Sequence, residues 1–199
     1  MIEALLVDLG GVLLDAQPRR AMVALARLSG RPAAELEAAI LTAVKDRFDR
    51  GQLGEAAFLD ELRRACGRPL GDSELRAAWC AIFDDLPEMQ ALTARLAARH
   101  PTYLLSNTDP VHFAWARAHL PLLDRFRGFH LSYEAGALKP EAEYYRQAFR
   151  RFALEPAACV LVDDRPENVE AMVSLGGAGI VHESAAGTEA ALRALGIRA

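Results

Sequence analysis

The sequence predicts an α/β protein built on a doubly wound parallel sheet, with a block of helices inserted after the first strand. Three observations carry that expectation. Residues 3–8 form a short apolar run that ends in an acid and breaks at once into Gly10 and Gly11, the pattern of a buried strand entering a loop. From about residue 17 to residue 85 the pattern is helical only, and after Pro87 helices and strands alternate. Alternation at that pace means a parallel sheet covered on both faces. A lone strand cannot satisfy its backbone, so the first one joins the same sheet. The expected division is a core of residues 1–15 and 86–199 and a helical module over 16–85.

Within the helical block, Pro and Gly punctuation places helices at 18–28 closed by Gly30, 32–50 closed by Gly51, 55–66 closed by Gly67, and 73–83 after an Asp72 cap. Leu36, Ile40, Val44 and Phe48 recur every four residues and give the second of these one apolar face. Beyond Pro87 the expected order is helix 88–99, strand 102–105, helix 111–120, strand 128–131, helix 141–152, strand 159–162, helix 167–175 and strand 179–181.

Composition narrows the function classes. A chain of 199 residues that is 52% apolar and 25% charged is an ordinary globular protein with a sizeable core. A net charge of -4 offers no attraction to nucleic acid or to a membrane surface. Cys66, Cys80 and Cys159 are odd in number and set in apolar sequence, which suits reduced thiols rather than disulfides or a zinc site. No stretch approaches the ~18 apolar residues of a membrane span, and no leader pattern opens the chain, so a cytoplasmic location is expected. Of 23 basic residues only Lys45 and Lys139 are lysine, a bias that makes each lysine mildly informative.

In open parallel sheets ligands sit beyond the carboxyl ends of the strands. By the expected order those ends carry Asp8, then Ser106 and Asn107, then Asp163 and Asp164, with Lys139 on the loop after the third strand. Three carboxylates brought together repel one another and call for a divalent cation. Hard oxygen ligands without histidine or thiol favour Mg2+. Ser106, Asn107 and Lys139 then remain to hold phosphate oxygens. Each residue also has a plainer reading: Asp8 as a turn residue, Asp163 or Asp164 and Ser106 or Asn107 as helix caps, Lys139 as a solvated loop charge. It is their company at one sheet edge that favours phosphoryl transfer.

Four segments resemble the haloacid dehalogenase superfamily in order: Leu5-Leu6-Val7-Asp8-Leu9-Gly10-Gly11-Val12, Leu104-Leu105-Ser106-Asn107-Thr108, Lys139-Pro140-Glu141, and Val160-Leu161-Val162-Asp163-Asp164-Arg165-Pro166-Glu167-Asn168. The resemblance covers nearly the whole chain and extends to bacterial sugar-phosphate phosphatases such as α-D-glucose-1-phosphate phosphatase. It implies a Rossmann-like core with a helical cap, and a phosphatase in which Asp8 is the nucleophile and forms an aspartyl-phosphate. It further implies Asp8, the Gly10 carbonyl and Asp164 as Mg2+ ligands, supported by Asp163 or Asn168. Lys139 would neutralise nucleophile and phosphate, Ser106 and Asn107 would bind phosphoryl oxygens, and Gly11 and Arg50 would be further substrate contacts. The implied partner is a small phosphorylated metabolite of the sugar-phosphate kind, with no nucleic acid or membrane and with the chain a monomer or homodimer.

One position departs from that pattern. Most such phosphatases carry a second aspartate two residues after the nucleophile as general acid, and here that residue is Gly10. Asp15 and Asp49 are the alternatives for that role, although Asp15 reads better as a loop cap. The same gap admits a metal-independent 2-haloacid dehalogenase, whose halide leaving group needs no proton, and a non-catalytic phospho-ligand binder. The paired Asp163 and Asp164 argue against the former. His112 reads as a first-turn helix residue, and Trp79 and Trp115 as core.

Overall fold

The computed structural model describes residues 2–42 and 44–199. In chain order the elements are β1 (Ala4–Val7), β2 (Leu14–Ala16), α1 (Arg19–Ser29), α2 (Ala33–Ile40), α3 (Lys45–Asp49), α4 (Glu55–Cys66), α5 (Asp72–Cys80), β3 (Phe83–Asp85) and α6 (Pro87–Ala97). Then come β4 (Thr102–Ser106), α7 (Pro110–His119), β5 (Gly128–Leu131), α8 (Ser132–Ala135), α9 (Ala142–Phe152), β6 (Cys159–Asp163), α10 (Pro166–Ser174), β7 (Ala178–Val181) and α11 (Ala185–Ala194).

Five strands form a parallel sheet in the order β5-β4-β1-β6-β7, with β1 central and paired to β4 and β6. Side chains alternate across a strand, and β1 feeds both faces. Leu5 and Val7 join α6, α7 and α11 in one apolar cluster, and Ala4 and Leu6 join α9 and α10 in another. A strand buried on both faces needs apolar residues at every position, which is why β1 and β6 read as continuous apolar runs. No helix among the described residues is long and apolar enough to cross a membrane.

Helices α1 to α5 gather around a separate apolar cluster that includes Met22, Leu25, Phe48, Phe58, Leu62 and Trp79. Phe58 stacks on Phe48 with centroids 3.9 Å apart and meets the edge of Trp79 at 4.8 Å. A short antiparallel ribbon of β2 and β3 joins this block to the sheet domain.

The structure corrects four local expectations. The helix expected over 32–50 is two helices, α2 and α3, and position 43 between them lies outside the described residues. β-Branched Thr42 and Val44 lower helix propensity there, while Leu36, Ile40, Val44 and Phe48 still enter one cluster. The helix expected to reach residue 83 ends at Cys80, and Phe83 opens β3. Strands of three residues carry too little alternation to register in sequence, so neither β2 nor β3 was expected. Helix α11 was also unexpected, because its alanine-rich run with Gly187 in the first turn shows no clear apolar period.

His130, on β5, is 3% exposed, and neither ring nitrogen has a partner among the described residues. Burial, with Arg151 adding to it, holds its pKa down from 6.5 to about 4. Between those values the unfolded chain takes up a proton that the folded protein refuses, so stability falls as pH drops through that window. His130→Phe is expected to remove this acid-side loss. Thermal melts should show the variant gaining on the wild type from pH 8 to pH 5.

Candidate active site

Parallel strands send their carboxyl ends to one edge, and the charged residues meet there. Asp8 follows β1, Ser106 ends β4 and Asp163 ends β6. Lys139 enters from the loop between α8 and α9 and is 3% exposed. Its ammonium lies 2.9 Å from Asp8 Oδ1 and 2.6 Å from Asp163 Oδ2, and donates to the Leu105 carbonyl at 2.9 Å. An ammonium has three protons, and these three acceptors match that number. Burial works to lower the lysine's pKa, and Asp8 and Asp163 more than reverse it.

Asp163 is fully buried and its oxygens are committed. Oδ2 takes Lys139, while Oδ1 accepts the Arg165 backbone N–H at 3.0 Å and the Asn168 amide at 2.8 Å. Among the described residues the Asp164 carboxylate makes no such bond to another residue, and it lines the cavity. Gly11 packs against it at φ 75°, where a Cβ would be strained and would displace the Asp164 carboxylate.

The donor set suits a hard cation. One carboxylate oxygen each from Asp8, Asp163 and Asp164 lie within 4.8 Å of one another. Burial pushes Asp8 up to about 7 against the pull of Lys139, and Asp163 adds to the rise. Burial and Asp163 likewise raise Asp164. One ammonium therefore does not neutralise three carboxylates, and a divalent cation would. The buried Asn168 Oδ1 has no partner among the described residues and lies at the same cavity. All-oxygen ligands with room for water fit Mg2+.

Around this cluster the loop after β4 is pinned from two sides. Asn107 accepts the Lys139 backbone N–H and donates to the Lys139 carbonyl, both at 2.8 Å. Its side chain thus positions the lysine loop, and Asn107 lines the cavity as well. Ser132 Oγ accepts from the Thr108 N–H and donates to the Thr108 carbonyl, both at 2.9 Å.

Asp109 caps α7 by accepting the His112 N–H at 2.9 Å, and its other oxygen meets the His112 Nδ1 at 2.8 Å and the Trp79 indole N–H at 3.0 Å. Burial alone would raise the Asp109 carboxyl, but His112 holds it below the ordinary value. The His112 Nε2 faces the Trp79 carbonyl at 3.0 Å, so this buried network ties the helical block to the sheet domain. Sequence reading placed His112 in the first turn but missed the network. The available signal was an N-cap aspartate before Pro110.

The cavity, about 480 Å3, lies between the sheet edge and the helical block. The sheet contributes Asp8, Gly10, Gly11, Ser106, Asn107, Lys139 and Asp164, and the other wall contributes Pro18, Lys45, Asp49, Ile82 and Phe83. Asp15 also lines it, from β2, where it accepts the Gln17 amide. Arg50 does not line the cavity. Its guanidinium pairs with Asp46 and, at 2.6 Å, with Glu141, bridging the helical block to the loop that carries Lys139.

Removing one partner from a buried, hydrogen-bonded charge cluster leaves the others uncompensated and costs about 3–5 kcal/mol. Lys139→Met should therefore lower unfolding stability in urea by that order, and Mg2+ should restore part of it by neutralising Asp8 and Asp163.

The chain matches the description haloacid dehalogenase-like hydrolase over residues 2–176. It is 29% identical over 185 residues to the D-ribitol-5-phosphate phosphatase of Bacteroides thetaiotaomicron, covering 88% of this chain and 89% of that one. Among solved structures, a haloacid dehalogenase family enzyme of Bacteroides thetaiotaomicron in complex with magnesium and inorganic phosphate superposes with a TM-score of 0.84. That pair is 25% identical, over 92% of this chain and 96% of the other. The L-2-haloacid dehalogenase of Xanthobacter autotrophicus shares the fold at a TM-score of 0.63 and 18% identity, over 90% of this chain and 76% of that one. With its motifs gathered at one sheet edge and a family match spanning residues 2–176, the chain belongs to the haloacid dehalogenase-like hydrolases.

Proposed function

We propose that this hydrolase is a Mg2+-dependent phosphatase that cleaves a small phosphomonoester through an aspartyl-phosphate on Asp8. The observation that carries the reading is the charge cluster itself, three carboxylates within 4.8 Å of one another with Lys139 2.9 Å from Asp8. The phosphatase relative and the magnesium and phosphate bound by the similar structure support it. A small sugar or polyol phosphate is the substrate class they favour.

In this reading Asp8, the Gly10 carbonyl and Asp164 would hold the cation, which would neutralise the carboxylates and the phosphate dianion. Asp163, its oxygens already engaged, holds Lys139 and Asn168 in place. Lys139 and the Leu9 N–H both bind Asp8 Oδ1, which leaves Oδ2 to attack. Attack forms the Oδ2–P bond and breaks the bond from phosphorus to the leaving oxygen, which takes its proton from solvent water. Water then attacks phosphorus, releasing inorganic phosphate and restoring Asp8. Ser106, at the end of β4, and the backbone at Gly11 receive phosphoryl oxygens. Residues 16–85 act as a cap over the core of 1–15 and 86–199, excluding water and choosing the leaving group.

Phosphate release from p-nitrophenyl phosphate should require Mg2+, cease with chelator, and fall on the order of 1,000-fold or more in Asp8→Asn. Metal-independent halide release from 2-chloropropionate in its place would identify a dehalogenase and sink this reading.

Gly10 stands where a general acid is absent, and a Cβ there would meet only Ala16 Cβ at 3.5 Å, an ordinary contact. Gly10→Asp should therefore raise kcat on alkyl phosphates by roughly 100-fold, the lower range for general acid catalysis, and raise it much less on p-nitrophenyl phosphate. Comparing the two leaving groups measures it.

A further inference from the structure

Helix α9 carries two adjacent tyrosines, Tyr144 and Tyr145, both fully buried in the apolar cluster on one face of the sheet. Successive residues on a helix point about 100° apart, so the two phenols leave α9 in different directions, their rings edge-on at 5.7 Å. Tyr145 donates to the Asn168 carbonyl at 2.8 Å. Tyr144 shares its one proton between the His130 carbonyl at 2.6 Å and the Ser106 carbonyl at 3.2 Å. Burial raises the pKa of both phenols, so both remain donors at any working pH.

Phenylalanine would fill the same apolar space, and the hydroxyls are what reach the site. Asn168 lines the cavity, and its amide donates to Asp163 Oδ1, whose carboxylate takes Lys139 through the other oxygen. Lys139 in turn lies on the loop that leads into α9. Tyr145 thereby closes a ring that leaves α9 through its own side chain and returns through the lysine loop. On the other side, the peptide unit between Ser106 and Asn107 is planar, with its carbonyl and its N–H directed oppositely. Holding the Ser106 carbonyl against Tyr144 turns the Asn107 N–H away from α9, and that N–H has no acceptor among the described residues.

We propose that Tyr144 and Tyr145 are positioning residues: one helix, through two phenol hydroxyls, sets the spacing between the phosphate-binding end of β4 and the cation-binding side of the cavity at the start of α10. Given the phosphatase reading, on which this rests for what the cavity binds, Tyr145 acts on the cation and Tyr144 on the phosphate. Partners one step behind the groups that touch a ligand fix the orientation of those groups, and their loss lowers affinity without removing a direct contact.

Tyr144→Phe and Tyr145→Phe each remove one hydroxyl and keep the ring, so both variants should fold, as thermal melts would show. In calorimetry Tyr145→Phe should weaken Mg2+ binding about tenfold, the low end for losing a partner behind a metal ligand, and keep inorganic phosphate binding at saturating Mg2+ within about twofold of wild type. Tyr144→Phe should do the reverse, weakening phosphate about fivefold, the worth of one hydrogen bond, with Mg2+ binding unchanged. Lower melting temperatures with both affinities at wild-type values would overturn the proposal and leave the tyrosines as core residues. So would an equal loss of both affinities in both variants, the mark of a general loosening. Binding is read without turnover, so a wild type that binds both ions yet releases no phosphate from any ester overturns the phosphatase reading alone, and the contrast between the variants still decides the positioning. A wild type that binds neither ion overturns both.

Discussion

Everything at the sheet edge depends on one buried ammonium. Lys139 lies between Asp8 and Asp163 and has spent all three protons by the time it also meets the Leu105 carbonyl. A buried charge must be paired and hydrogen-bonded, so the ends of β1, β4 and β6 are bound to one point on one loop. Asn107 clamps the backbone of that same residue from both sides. The four sequence motifs are thus one electrostatic unit, not four separate contributions.

That unit is deliberately short of positive charge. With three carboxylates to one ammonium, burial and Asp163 keep Asp8 up at about 7, higher than a carboxylate nucleophile working near neutrality would be set. A divalent cation would correct the balance and, in the phosphatase reading proposed above, would ready the pocket for a phosphate dianion. The division of labour between the adjacent acids follows from their surroundings. Asp163 is enclosed and saturated with hydrogen bonds, whereas Asp164 packs against Gly11 at the cavity.

The helical block has its own apolar cluster, so its folding does not consume the sheet's core. What fastens it to the sheet domain is both apolar and polar: Val111 and Trp115 of α7 pack into its cluster, beside the buried Asp109, His112 and Trp79 network and the Arg50 pair with Glu141.

The chain's order of elements, the doubly wound sheet and the identity of the charged residues at its carboxyl edge were legible in the sequence. Those properties depend on local periodicity and on the rule that parallel strands all point one way. The break between α2 and α3, the β2 and β3 ribbon and α11 were not, because short or alanine-rich segments carry little period and take their form from distant partners. The same limit applied within the site. Sequence named Asp8, Lys139, Asp163 and Asp164, but only the folded chain decided that Asn107 turns to the lysine backbone and that Arg50 leaves the cavity while Lys45 and Asp49 enter it. Which way a side chain turns is decided by the acceptor nearest in space, and proximity between residues 50 and 141 or 107 and 139 exists only once the tertiary structure has formed.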